Sequence, residues 1–280
     1  MIMSTNELIE NETELRETGS IPLLFEKENF KDIFPEHKKL FLFLDFDGTL
    51  SQIVNHPEDA CITDEMKEVL EKCAAKFKVA IVSGRDMNDV KRRVGIDNLI
   101  YAGSHGFRIT GPGGLSMEYK ESEKLLPALD QIEEKLQDRF SDGPKGVQIE
   151  RKRYAIAVHY RNADEGNLNE IKNKIKNVLD GYSEMKTGKG KKIIEIKPDL
   201  DWHKGNAIKW ILDNLGCWNN PEVLPAYVGD DVTDEDGFKM LYNNGVGILV
   251  GSHGELSAAR YKLNDVDDVY YFLQKLFQSR

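Results

Sequence analysis

From Leu40 to Leu44 the chain is apolar without a break, and it then meets Asp45-Phe46-Asp47-Gly48. A short continuous apolar run that stops at a turn is the pattern of a strand buried on both faces, as in a parallel sheet. Met66, Val69, Leu70, Cys73, Ala74 and Phe77 follow at helical spacing behind Thr63, a good N-cap, with Asp64 and Glu65 in the first turn. Val79–Val82 and Leu99–Ala102 are two further apolar runs, ending in Ser83-Gly84-Arg85 and Gly103-Ser104-His105-Gly106, with a short helix near 86–94 between them. Strands that alternate with helices and each end in polar residues predict an α/β fold on a doubly wound parallel sheet.

The pattern changes near Phe107. Gly111-Pro112-Gly113-Gly114 marks a turn, Leu125, Leu129, Ile132 and Leu136 mark a helix, and two alternating strands surround Lys152-Arg153, the second placing Tyr154, Ile156, Val158 and Tyr160 on one face. Leu168, Ile171, Ile175 and Leu179 mark another helix, which leads to a strand pair around Thr187-Gly188-Lys189-Gly190 with Ile193–Ile196 on its return side. Hairpins with helices on one face predict a small α+β domain. After Pro198 the first pattern resumes: a helix from about Lys204 to Leu215, a strand at Ala226–Val228 ending in Gly229-Asp230-Asp231, a strand at Val246–Val250 and a helix around Val266–Phe277. The α/β core is therefore expected at 38–107 and 199–280, split by an inserted α+β cap at 108–198, with an acidic leader at 1–37.

Charge narrows the partners. The formal net charge of −10 argues against nucleic acid, which leaves a basic footprint on its binders. Residues 1–37 hold nine acids against three bases, so more than half the excess sits in the leader, expected to be a peripheral helix or loose tail outside the chemistry. No apolar run is long enough to span a membrane and the start lacks the features of a secretory signal, so the expectation is a cytoplasmic protein acting as a monomer. Cys61, Cys73 and Cys217 form no CxxC pair and have no histidines nearby, and His56, His159, His203 and His253 have no metal-ligand spacing.

Asp45 and Asp47 follow the first buried strand, at the carboxyl end of a parallel sheet where open α/β folds bind ligands. Alone, such an acidic turn is either a solvated turn or a site. Gly229-Asp230-Asp231-Val232-Thr233-Asp234 repeats the acidic pattern at another strand end, and converging carboxylates are what Mg²⁺ requires, with Asp45 and Asp230 as ligands. Ser83 and Lys204, at two further element ends, can hold phosphate oxygens by a hydroxyl and a point charge, or serve as a cap and a surface group.

In order, Asp45–Thr49, Ser83, Lys204 and Gly229–Asp234 resemble the haloacid dehalogenase-like phosphohydrolases. That resemblance implies Asp45 as nucleophile, Asp47 as acid and base with its backbone carbonyl on the Mg²⁺, and Asp231 and Asp234 as a supporting acidic motif. A finer resemblance, from about Leu40 to Val250, is to the trehalose-6-phosphate phosphatases. It rests on Ile81–Arg85, Tyr101–Gly106, Gly229–Glu235, Glu150-Arg151-Lys152 and Lys191–Pro198. It implies hydrolysis of trehalose 6-phosphate through an aspartyl-phosphate, with His105, Glu150, Lys152, Lys191 and Glu195 at the sugar hydroxyls. Read as residues alone, Glu150 with Lys152 and Lys191 with Glu195 are either sugar contacts or ion pairs on a wet sheet face; His105 is a contact or a turn residue; Arg85 reaches substrate or caps a helix. Another sugar phosphate, a phosphomutase reaction, or a binder without turnover are the rival functions.

Overall fold

A computed structural model describes residues 13–26, 30–190 and 192–280. The chain forms two compact units: one takes residues up to Val82, Arg93–Ile100 and His203–Arg280, the other Ser83–Arg92 and Tyr101–Trp202. Residues 83–92 and 101–107, which the strand and helix pattern assigns to the α/β core, group with the second unit.

The first unit is built on parallel strands. Tyr261–Leu263, Val246–Val250, Val223–Gly229, Lys39–Leu44 and Lys78–Val82 are neighbours in that order, every pair parallel. Leu40–Leu44 is buried throughout, because a strand in the middle of such a sheet is covered on both faces. Helix Asp64–Lys76 packs on Val266–Gln278, and Lys204–Asn214 packs on Glu235–Leu241, the doubly wound arrangement the sequence predicts. Thr63 caps the first of these helices by accepting from the Met66 amide at 3.1 Å. From Lys39–Leu44 the chain proceeds to Lys78–Val82 on one side, while the strand on the other side, Val223–Gly229, arrives much later in sequence. This is a topological switch point, and the carboxyl ends of its two strands carry Asp45 and Asp230.

The described part of the leader is not a loose tail. Arg16–Glu17 pairs antiparallel with Leu256–Ser257, and Leu23 bridges to Lys262. Ile21, Leu24, Phe30, Ile33 and Phe34 are buried, with Phe30 and Phe34 against Phe272. Counting charge hides these apolar residues, which bury enough surface to fix the segment despite the acids between them.

In the second unit, Gln148–Lys152, Ala155–His159, Ile193–Pro198 and Met185–Gly190 form an antiparallel sheet in that order. Helices Leu126–Phe140 and Leu168–Leu179 cover one face, where Leu129, Ile132, Leu136, Ile171 and Ile175 meet Ile156, Val158, Ile194 and Ile196. Thr187–Gly190, read from sequence as the centre of a hairpin, lies within a strand instead. A second small hairpin, Arg108–Thr110 with Ser116–Glu118, brackets the predicted Gly-Pro-Gly-Gly turn. Among the described residues no helix is long and apolar enough to cross a membrane.

Candidate active site

Asp45 extends its strand by one residue, its amide donating to Val228 at 2.9 Å, and its side chain is buried. The chain then turns tightly: the amides of Leu50 and Ser51 donate to the Phe46 carbonyl, and that of Gly48 to Ser51. Gly48 has a φ of +79°, and a Cβ there would stand 2.1 Å from Oδ2 of Asp230. Only glycine gives both that backbone and that approach between the two acidic turns. The result is a cluster in which Asp45, Asp230 and Asp234 each offer an oxygen within 4.8 Å of the others.

Lys204, the first residue of its helix, is only 3% exposed. Its Nζ donates to Asp45 Oδ1 at 2.9 Å and to Asp234 Oδ1 at 2.6 Å. Asp234 also accepts from the Tyr227 hydroxyl through Oδ1, and through Oδ2 from the amides of Asp230 and Asp231 at 2.9 Å each. Four donors use its acceptor capacity, so Asp234 ties the turn together and has little left for an ion. Asp231, exposed, caps the following short turn through the Val232 amide. Asp230 and the second oxygen of Asp45 accept no side-chain or backbone hydrogen bond among the described residues.

Burial pushes the Asp45 carboxyl above the usual carboxylate range despite Lys204, with Asp234 and Asp47 adding to the rise. Asp230 is raised by burial first and then by Asp45 and Asp234. Burial works against the Lys204 ammonium, but Asp234 and Asp45 outweigh it and hold Lys204 firmly protonated. Two buried carboxylates, Asp45 and Asp234, thus share one ammonium, with the half-buried Asp230 beside them. This shortage of positive charge, beside hard oxygen atoms without donors, fits a divalent cation bound through oxygen.

In the second unit Ser83 is buried, and its Oγ accepts from the Arg85 amide at 3.1 Å. Arg85 pairs with Asp89 one turn along the helix at 3.1 Å. Facing this turn, Ser104 and His105 both lie in the left-handed region, φ +51° and +56°. Their amides are held by the Arg85 and Ser83 carbonyls at 2.7 and 2.9 Å, which sustains a conformation that side-chain-bearing residues avoid. The His105 ring lies over Gly84, where a Cβ would come within 2.8 Å of it. Its Nε2 reaches to 3.6 Å from Glu195 Oε2.

Strand register explains the charged sheet face. Glu150, Ala157, Glu195 and Gly188 form one row across the four strands, and the pairs Lys152 with Ala155 and Lys197 with Lys186 follow two residues along on the same side. Side chains alternate, so the opposite face supplies the apolar core. Lys152 donates to Glu195 at 3.2 Å, and Lys197 lies 3.8 Å from it. Burial alone would raise Glu195, but His105, Lys152 and Lys197 together hold its carboxyl well below the usual range. Glu150 is likewise held low, chiefly by a 2.7 Å hydrogen bond with His159, with Lys152 and Arg85 contributing.

Asp45, Lys204, Asp230 and Asp234 therefore converge in one unit, with Asp47 near enough for its charge to act on Asp45. Arg85, His105, Glu150, Lys152 and Glu195 are linked in the other. Lys191 lies outside the described residues. Sequence reasoning passed over Tyr227, His159 and Lys197. Tyr227 reads as one more apolar strand residue. Two-residue alternation places His159 on the face opposite Ile156 and Val158, and Lys197 on the same face as Glu195, so both polar-face positions follow from strand periodicity.

A family model described as trehalose-phosphatase matches residues 43–267. Among curated proteins, the probable trehalose-phosphate phosphatase H of Arabidopsis thaliana is 37% identical over 256 residues, 87% of this chain and 73% of that one. The probable trehalose-phosphate phosphatase 3 of Oryza sativa subsp. japonica is 38% identical over 259 residues, 87% and 70%. A solved trehalose-6-phosphate phosphatase related protein superposes with a TM-score of 0.74 at 25% identity, covering 86% of this chain and 98% of its own.

Proposed function

Since the chain belongs to the trehalose-phosphatase family and is therefore a phosphatase, we propose that it hydrolyses trehalose 6-phosphate to trehalose and phosphate through an aspartyl-phosphate on Asp45, with Mg²⁺ as its metal. The observation that carries this reading is the cluster of Asp45, Asp234 and the half-buried Asp230 at the switch point of the parallel sheet, with the buried Lys204 ammonium on the first two.

Asp45 is fixed by Lys204 through Oδ1, which leaves Oδ2 to attack phosphorus. As the new bond forms, the bond from phosphorus to the sugar oxygen breaks, and Asp47 supplies the proton that this oxygen takes up. Asp47, now a carboxylate, accepts a proton from water, whose oxygen attacks the same phosphorus and frees Asp45. Lys204 keeps its charge throughout and offsets the growing negative charge on the phosphoryl oxygens, while the Ser83 hydroxyl donates to one of them. Asp45, Asp230 and the Asp47 backbone carbonyl would hold Mg²⁺, which supplies the remaining charge neutralisation when bound.

For the sugar, the reading uses the charged sheet face. A disaccharide presents hydroxyls that both donate and accept, and Glu150, Glu195 and Lys152, with Arg85 and His105, form charge-assisted hydrogen bonds to them. Ala157 and Gly188, in the same row as the two glutamates, leave room above the sheet.

The test compares phosphate release from trehalose 6-phosphate, sucrose 6-phosphate and a small aromatic phosphate ester, with Mg²⁺ and with a chelator. Preference for trehalose 6-phosphate and dependence on the ion are expected, together with a phosphoryl adduct on the peptide containing Asp45 in rapidly quenched samples. Equal use of all three esters would remove the substrate assignment, and an adduct on another residue would remove the nucleophile.

A further inference from the structure

The parallel sheet of the first unit has a second end, where its strands begin. Lys39, Lys78 and Val223 open three of them, and a cleft of about 530 Å³ lies against these starts. Its floor is apolar, with Leu40, Phe41 and Phe77, and its rim is cationic, with Lys38, Lys39, Lys76, Lys78 and Arg280. Among the described residues Glu36 is the one acid in the lining, and it pairs with Lys31 at 2.7 Å and also faces Arg280.

These cations are poorly compensated. Lys39 pairs with Glu222 at 3.2 Å and the Arg280 guanidinium feels the Glu36 carboxylate, but Lys38, Lys76 and Lys78 meet no carboxylate among the described residues. Lys76 donates to the Phe277 carbonyl at 2.9 Å and sits over that ring, and Arg280 donates to the carbonyls of Lys38 and Pro35. The Nε of Arg280 is buried and has no partner among the described residues. In a chain of net charge −10, five cations against the carboxylates of Glu36 and Glu222, among the described residues, make a local positive field around one apolar-floored recess.

We propose that this cleft binds a phosphate-bearing organic molecule of about mononucleotide size, its phosphate among Lys38, Lys78 and Arg280 and its apolar part against Leu40, Phe41 and Phe77. The volume lies within the range of small-molecule sites, and lysine with arginine is the usual pairing for phosphate. This is not the catalytic centre. The strand Lys39–Leu44 runs from the cleft to Asp45, and six residues of extended chain separate the two by about 20 Å.

The experiment is calorimetric titration of the full chain with AMP and, separately, with inorganic pyrophosphate, in chelator at an ionic strength of about 0.15 M. It is run on the unaltered chain and on the Lys38→Glu/Lys78→Glu double variant. Saturable AMP binding, tighter than pyrophosphate and weakened about tenfold or more in the variant, is expected, with phosphatase activity unchanged. Pyrophosphate binding as tightly as AMP overturns the organic part of the proposal. Equal affinity in both proteins places the anion elsewhere and overturns the site, as does the absence of saturable binding. Should the charge reversals prevent folding, Lys38→Gln/Lys78→Gln carries the same comparison.

Discussion

The acidic cluster of the first unit and the charged sheet face of the second use the same residue types under opposite conditions. Asp45, Lys204 and Asp234 are almost wholly inaccessible, and the charge states of Asp45 and Lys204 depend on burial and on the neighbouring charges. Glu150 and Lys152 stand on a face still open to solvent, and only Glu195 among them is deeply enclosed by cations. Burial makes the first set rigid, costly and intolerant of change, which suits the proposed stabilisation of a developing charge. Partial exposure makes the second set adjustable, which suits recognition of many hydroxyls, and it lowers what each contact contributes.

Substitutions test that contrast. Asp45→Asn should have the largest effect, removing the attacking oxygen and lowering phosphate release by at least about 10⁴-fold while the fold survives, as read by initial rates and circular dichroism. Lys204→Met should also abolish turnover, and it should lower stability by about 3–5 kcal/mol in urea, because Asp45 and Asp234 stay buried without their counter-charge. A fully stable Lys204→Met protein would mean that the cluster is not the interdependent unit its geometry indicates.

Glu195→Gln should act differently. KM for trehalose 6-phosphate should rise by about 10- to 100-fold, the loss of charge-assisted hydrogen bonds, while rates on a small aromatic ester change little. An equal loss on both substrates would assign the sheet face a structural role instead.

Proton linkage gives a smaller, graded effect. Asp45 and Asp230 have folded-state values raised above those of the unfolded chain, chiefly by burial. The folded state then binds more protons, so in chelator its stability should be greatest at acidic pH and fall as pH rises out of the ordinary carboxylate range. A divalent cation binds the deprotonated forms, so the gain in Tm on adding Mg²⁺ should widen between about pH 5 and pH 8. A gain independent of pH would place the ion away from these two groups. The smallest expected change is Tyr227→Phe, which removes one donor to Asp234 and should cost about 1 kcal/mol with activity largely kept.

How much of this was legible in advance differs between the two regions for a physical reason. At the first, apolar runs ended in acidic turns at Asp45 and Asp230, and a central parallel strand has so little polar content that its end is hard to miss. At the second, Glu150, Lys152 and Glu195 stood out through family resemblance, while His159 and Lys197 escaped because charged residues on a solvent-facing strand look alike until register pairs them. Of the two expectations for the leader, a peripheral helix or a loose tail, its described residues do not fit the second, because a few apolar residues and one strand pairing hold them, which the excess of acids conceals.

By itself the sequence determined the alternation of strand and helix, the split of the parallel-sheet pattern by a different one, and the order of the acidic, serine and lysine motifs. Those are local properties, set by periodicity and turn chemistry within a few residues. The tertiary structure alone decided that Lys204 is buried between Asp45 and Asp234, that Asp234 has no acceptor capacity to spare, and that Gly48 must lack a side chain for the two turns to meet. Charge states and close approaches depend on which distant segments share a volume, and spacing along a chain carries no measure of that.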